Sequence, residues 1–471
     1  MGIPDDGLVV VLKQDCPTCR LVAPVLDVLD ATVFSQDDPA FPPGVAVRDD
    51  TALDASVALG IDVVPTLLRR EGGRETARTE GWDRERWREL AGVADLGAEL
   101  PEWKPGCGSR THDPAVADEM LVRARGHELA ARRVELAGLE DEAEALYDRG
   151  WTDGLPVVAP TPPRVLRMLA GTTRAPDEVV AVVPPNLVPA TVEKVAINAV
   201  LAGCRPEYLP VVLAAVEAAC STEFNAHGLL ATTWGAAPAV LVHGPIARRI
   251  GVNAGGNALG QGTRANSTIG RALQLVIRNV GGGRPGEVDR ATLGQPGKVG
   301  LCFAEDEDGS PWEPLSVSRG VPAGASAVTV FAAEGARGIV DQISRTPDSL
   351  ARTLAGALRG VAHPKLTGGF DAVLVLSPEH VAVFAEAGWD RARFTAALDD
   401  LLLLPPEELA RGADGIEEGL PAPSRPRHKF RPGGLMTAVA GGGAGKFSAV
   451  VGGWVGGPGG STPVTRLIEE A

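Results

Sequence analysis

Two of the six cysteines stand three apart as Cys16-Pro17-Thr18-Cys19. An apolar run, Leu8 to Leu12, precedes them, and Leu21, Val22, Val25, Leu26 and Leu29 follow at helical spacing. That order predicts a buried strand, the thiol pair and then a helix. A thiol at a helix start meets unpaired N–H groups and the positive end of the dipole, which favour thiolate. A second thiol three residues on can reach back and release a mixed disulfide. A zinc site would need two more ligands, and no CxxC or HxxxH follows within the next 80 residues. The pair reads as redox chemistry, with Cys16 attacking and Cys19 resolving.

Further candidates are scattered. Cys107 lies between Gly106 and Gly108, beside Ser109 and Arg110, and reads equally as an activated exposed thiol or an incidental linker cysteine. Cys204 follows Gly203, which ends one helical run, and precedes Arg205-Pro206, which opens the next; it is a second candidate thiolate, or a small residue filling a tight turn. Cys220 and Cys302 fall in apolar runs and read as core. His227 and His243, each followed by glycine, are candidates for general acid–base work or for structural roles. Cys302 or Glu305 could join them in holding a metal, but no fixed ligand spacing supports one, and no metal is assigned.

Gly251 to Arg264 is glycine-rich and runs into a helical stretch. With Gly260, Gly262, Arg264, Asn266, Ser267 and Thr268 at the helix start, it suits an anionic substrate or cofactor. The segment formally matches GxGxxA, yet no clear strand precedes it and no acidic residue follows at the spacing a dinucleotide fold requires. Gly441 to Lys446 looks phosphate-binding but misses a P-loop, with Ala440 for the first glycine and Phe447 for the hydroxyl residue. No cofactor beyond a Cys16–Cys19 disulfide is expected.

The elements needed to position the thiol pair are present around it. Leu59 to Leu68 reads as a strand entered through Pro65, followed by a turn at Glu71-Gly72-Gly73 and a short charged helix from Asp83 to Leu90. With CPTC, the V-P-T strand and this closing helix, residues 5–98 resemble the thioredoxin superfamily. The resemblance implies a cis-proline at Pro65 facing a redox-active disulfide. Asp15 replaces the usual tryptophan before the first cysteine, and Pro-Thr replaces Gly-Pro between the thiols.

Residues 99–150 read as a linker rich in proline and glycine, then a helix with Leu136, Leu139, Ala143 and Leu146 at three- and four-residue steps. From Trp151 the composition turns apolar. Strand-like runs at 178–183, 238–242, 299–303, 327–332 and 371–376 alternate with helical stretches, predicting an α/β domain over 151–471. No repeat of 20–50 residues is visible. The segments WTDGLPVV (151–158), VAINAVLAGCRPEY (195–208), ALGQGTRANSTIGRA (258–272) and SPWEPL (310–315) resemble poorly characterised bacterial proteins of the UGSC-like redox group. The nearest match to that group's eponymous motif, Cys107-Gly108-Ser109-Arg110, lacks the final cysteine.

A net charge of −15 argues against a broad nucleic-acid surface or a basic membrane patch. No apolar stretch matches a spanning helix or a secretory signal, and six cysteines in 471 residues make no disulfide scaffold. The expectation is a cytoplasmic α/β enzyme, with room for a homo-oligomer. Its CPTC arm would reduce a cysteine or substrate in the large domain, drawing on a thiol reductant. The alternatives are a lyase or transferase acting on a sulfur-containing small molecule, and a redox-sensing ligand-binding protein.

Overall fold

A computed structural model describes residues 2–138, 140–412, 417–419 and 421–470. The chain divides into two compact units, Met1–Gly126 and His127–Ala471.

The first unit is built on a five-stranded sheet. Its elements are β1 (Gly7–Leu12), α1 (Pro17–Val22), β2 (Ala31–Ser35), β3 (Val47–Asp49), α2 (Asp54–Ala58), β4 (Val63–Val64), β5 (Thr66–Glu71), β6 (Arg74–Glu80), β7 (Trp82–Asp83) and α3 (Arg84–Ala91). The sheet order is β3-β2-β1-β5-β6, parallel among β1 to β3 and antiparallel beyond. Central β1 is buried on both faces, which is why Leu8–Leu12 is continuously apolar rather than alternating. The Val64–Pro65 bond is cis, as the resemblance implied. Trp82 and Trp87, 5.2 Å apart, close the core beneath α3.

The stretch expected to be a linker is structured, and it belongs to this unit. β8 (Trp103–Lys104) pairs with β7, and β9 (Cys107–Gly108) pairs antiparallel with β4. Then α4 (Pro114–Arg125) ends the unit. Short strands that find partners some twenty to forty-five residues away leave no local periodicity, so composition alone misreads them. The helix expected to carry Leu136, Leu139, Ala143 and Leu146 is also corrected: α4 ends at Arg125 and α5 spans only Glu142–Asp148. Leu139 lies outside the described residues.

In the second unit α6 (Pro162–Leu169), α7 (Val192–Ala202), α8 (Leu209–Ala219) and α11 (Arg264–Asn279) fall close to the stretches predicted at about 163–170, 191–202, 207–220 and 266–280, whereas the short α9 (Ala226–Ala231) and α10 (Pro245–Arg249) were not expected. β10 (Val179–Val183) and β11 (Val188–Thr191) form a separate hairpin. Two four-stranded mixed sheets make up the centre. One holds β12 (Ala237–His243), β13 (Leu301–Ala304), β14 (Ala327–Ala333) and, from the far end of the chain, Val464–Leu467. The other holds β15 (Ala336–Val340), β16 (Phe370–Leu376), Leu435–Val439 and Phe447–Val455.

Side-chain alternation along the strands explains the layering. Val240, Val242, Cys302 and Val328 face the cluster formed with α7, α8 and α11. Their neighbours Ala239, Leu241, Phe303 and Phe331 face Val373, Val375, Met436 and Val451 of the other sheet. Ala372, Leu374 and Leu376 turn outward onto the helices at Pro347–Arg359, Pro378–Glu386 and Arg391–Leu401. The result is four layers, helices–sheet–sheet–helices.

The two sheets share one pairing scheme. In each, a central strand has a parallel neighbour on one side and an antiparallel strand on the other (β12 with β13 and β14; β16 with 435–439 and 447–455). The fourth strand is exchanged: β15 follows β14 but pairs in the second sheet, and 464–467 follows 447–455 but pairs in the first. This duplication is one of topology, and no sequence repeat announces it.

Candidate functional site

The first unit gathers three thiols. Cys16 is the N-cap of α1, and its sulfur accepts the Cys19 amide at 3.3 Å. Pro17 at the first helical position gives up an N–H that would lack an intrahelical partner anyway. The Cys16 thiol also lies 3.5 Å from the Val64 carbonyl, just before the cis-proline. Neither Cys16 nor Cys19 has exposed surface.

Hydrogen bonding from Cys19 lowers the Cys16 pKa to about 5 against the opposing cost of burial, with a further contribution from the Cys107 thiol. Burial, and then the neighbouring Cys16, push Cys19 far up. Burial and Cys16 likewise raise Cys107. The surroundings thus favour thiolate at Cys16 and thiol at Cys19 and Cys107. A thiolate with thiols beside it can attack a disulfide and be released by one of its neighbours.

The strand β9 places Cys107 there, with Cys107 directly opposite Val64. The segment around it is fastened at several points. Thr18 Oγ1 donates to the Pro105 carbonyl (2.6 Å), Ser109 N to Asp62 O (2.9 Å), and Thr111 Oγ1 to Ile61 O (3.0 Å). Buried Gln36 bonds Ser109 Oγ and the Arg110 amide. Gly106 has no room for a side chain: a β-carbon there would lie 2.3 Å from Val63 Cγ1 and 2.8 Å from the Val64 oxygen. The sequence signal for this close approach was Gly106-Cys107-Gly108. The sequence names Cys107, with Cys204, as a candidate exchange partner for the CPTC pair, but places it on a flexible linker rather than on a strand paired with β4.

In the second unit Cys204 is buried, its thiol 3.5 Å from the Thr268 carbonyl, and burial pushes its pKa up to about 12. Arg205 caps the short 3-10 turn at Pro206–Tyr208 and is exposed; the charges acting on the thiol are those of Arg264 and Arg271. Cys302 is buried in β13 as expected, while Cys220 ends α8 partly buried, its pKa raised to about 12 by burial.

The glycine loop at 251–264 leads into α11, whose N-cap Thr263 accepts the Asn266 amide. Most of the groups expected to face an anion are engaged within the protein. Arg264 Nε donates to the Gly203 carbonyl (2.7 Å), and Thr268 Oγ1 donates back to Arg264 O. Asn266 is buried and ties the loop through Asn253, Ala258 and Thr263. Ser267 contributes its amide to Thr263 O. Gly262 has a left-handed φ of 135°, and a β-carbon on Gly260 would strike the Asn257 side chain. The fold does bring the two glycine segments together. Gly441 N donates to Ala254 O at 2.8 Å, and a β-carbon on Gly442 would lie 3.5 Å from the Gly256 Cα.

The two histidines part company. His227 is exposed on α9, whereas His243 ends β12 completely buried. His243 Nε2 bonds Thr329 Oγ1 (2.9 Å), and its Nδ1 has no hydrogen-bond partner, 3.7 Å from Glu305 Oε2. His243, Glu305 and Glu307 present ligand atoms within 4.8 Å of one another, a group sequence spacing did not assemble. Both carboxylates are already engaged, Glu305 by Arg391 (3.0 Å) and the Leu315 amide (2.7 Å), Glu307 by the Gly244 amide (2.8 Å). Burial pushes Glu305 up, but His243 and Arg391 outweigh it and hold the carboxyl below its usual range. A separate surface cavity of about 460 Å³ is lined by Thr233, Trp234, His363, Phe370, Arg411 and Trp454, among others.

No helix among the described residues is long and apolar enough to cross a membrane. No protein-family description matches the chain, and neither a curated protein nor a solved structure matches it.

Proposed function

We propose that the protein is a thiol–disulfide exchange enzyme whose first unit works as the thioredoxin superfamily does, with Cys16 as nucleophile and Cys19 as resolving thiol. The observation that carries this reading is Cys16 capping α1, its sulfur taking the Cys19 amide at 3.3 Å. A thiolate held there takes up a disulfide bond, and Cys19 then resolves it as the second member of the pair. The enclosed, protonated thiols of Cys204 and Cys302 make poor exchange partners, so the electrons leave the first unit for a disulfide other than one formed by those residues. The larger unit, with its paired glycine segments and surface cavity, is the better candidate for binding a small molecule.

Reduced protein is to be treated with oxidised glutathione and its cysteines mapped by mass. An intramolecular disulfide containing Cys16 is expected, with no such product in Cys16→Ser. If Cys16 stays reduced while other cysteines oxidise, the reading is wrong.

A further inference from the structure

We propose that Cys107 is the outlet of this exchange centre: external disulfides react at Cys107, and Cys16 then takes over the bond. The inference rests on the exchange reading above and adds the route by which a substrate reaches the buried thiolate. Cys16 and Cys19 have no exposed surface, whereas Cys107 is partly exposed. An external disulfide therefore meets Cys107 first. Its place is built, not incidental. β9 sets Cys107 opposite Val64, and the Cys16 thiol lies 3.5 Å from the Val64 carbonyl. Thr18, inside the CPTC turn itself, holds Pro105 two residues before Cys107 at 2.6 Å. Gly106 fits only because it lacks a side chain.

The steps balance. The Cys107 thiol attacks an external disulfide RSSR, forming Cys107–S–S–R and releasing RSH with the Cys107 proton. The Cys16 thiolate attacks Cys107 Sγ, the bond to R breaks, RS⁻ leaves, and a Cys16–Cys107 disulfide forms. Cys19 then attacks Cys16 Sγ, passing its proton to the departing Cys107 sulfur. Two electrons have moved from the Cys16/Cys19 pair to RSSR, and Cys107 is a thiol again. An external dithiol reductant resets the pair. The substrate class is a small or peptide disulfide able to approach a partly covered thiol.

The test uses full-length protein and oxidised glutathione. Cys19→Ser should halt at a Cys16–Cys107 disulfide. Cys107→Ser and Cys107→Ala, each checked by thermal melting, should oxidise at Cys16 at least about tenfold more slowly than wild type, because the thiolate stays enclosed. A Cys16–glutathione adduct with free Cys107 in Cys19→Ser overturns the outlet role. So does wild-type oxidation speed in both folded Cys107 variants. If wild-type Cys16 itself never oxidises, the exchange reading fails instead, and the two failures are told apart.

Discussion

Cys16 and Cys204 each stand just ahead of a helical segment, yet the fold makes them chemically opposite. Cys16 is the cap itself: its sulfur receives an amide N–H and has two thiols beside it, and its pKa falls to about 5. Cys204 stands one residue outside its 3-10 turn, where Arg205 takes the cap position, and burial drives its pKa up to about 12. A thiol near a helix start becomes a thiolate only when its sulfur is the acceptor for the orphan amides. Sequence proximity to a guanidinium adds nothing when that side chain points to solvent, as Arg205 does.

The most severe way to break this comparison is to remove the cap sulfur. Cys16→Ser should abolish formation of the intramolecular disulfide with oxidised glutathione, whereas Cys204→Ser should leave its rate unchanged. Loss of exchange in Cys204→Ser, with the fold intact, would contradict the contrast. Next in size is Gly106→Val, which forces a branched side chain against Val63 and the Val64 carbonyl. Overpacking of this kind costs about 1–3 kcal/mol, and the lost enclosure should speed alkylation of Cys16. An unchanged melting temperature and alkylation rate would show that the segment around Cys107 is not seated as described. A smaller loss is expected on the other side of the comparison, where Cys204→Ser places a hydroxyl in an apolar turn. The cost should be about 1–2 kcal/mol, read by denaturant unfolding, with the Thr268 carbonyl offering partial compensation. The smallest effect belongs to Thr18→Val, which deletes the bond to the Pro105 carbonyl and should cost about 1 kcal/mol.

Much of the first unit was legible because its signals are local. The apolar strand, CPTC, the helical spacing after it and Pro65 lie in short runs whose meaning does not depend on distant residues. Cys107 was a candidate exchange thiol from the sequence, but its placement was not legible, since it requires β9 to return and pair with β4, and two-residue strands carry no period. The same division holds in the larger unit. Val240 and Leu241 could be read as one buried strand, but which faces the helices and which faces the second sheet follows from register. The stretch 447–455, which carries Gly452 and Gly453, was not among the predicted strands, yet it is an interior one. Gly453 is small because a β-carbon would lie 2.5 Å from the Asp371 carbonyl. His243 was read as a candidate with Glu305 as a possible companion, but its meeting with Glu307 depends on a turn after β13 that no spacing rule describes.

Titration separates the two cysteines most directly, and the signs differ. Cys16 has a folded pKa depressed from the ordinary thiol value of 9.0 to about 5. Its contribution to stability is present above pH 9 and is lost as pH falls through about 5. Cys204 has a raised folded pKa, so its contribution is present below pH 9 and is lost as pH rises through about 12. The decisive measurement is the ultraviolet thiolate absorbance of reduced wild-type protein from pH 4 to 9, set against Cys16→Ser and Cys204→Ser. One thiolate should appear with a midpoint at about 5 in wild type and Cys204→Ser and be missing from Cys16→Ser. A wild-type trace that rises only toward pH 9, as a free thiol does, would contradict the account.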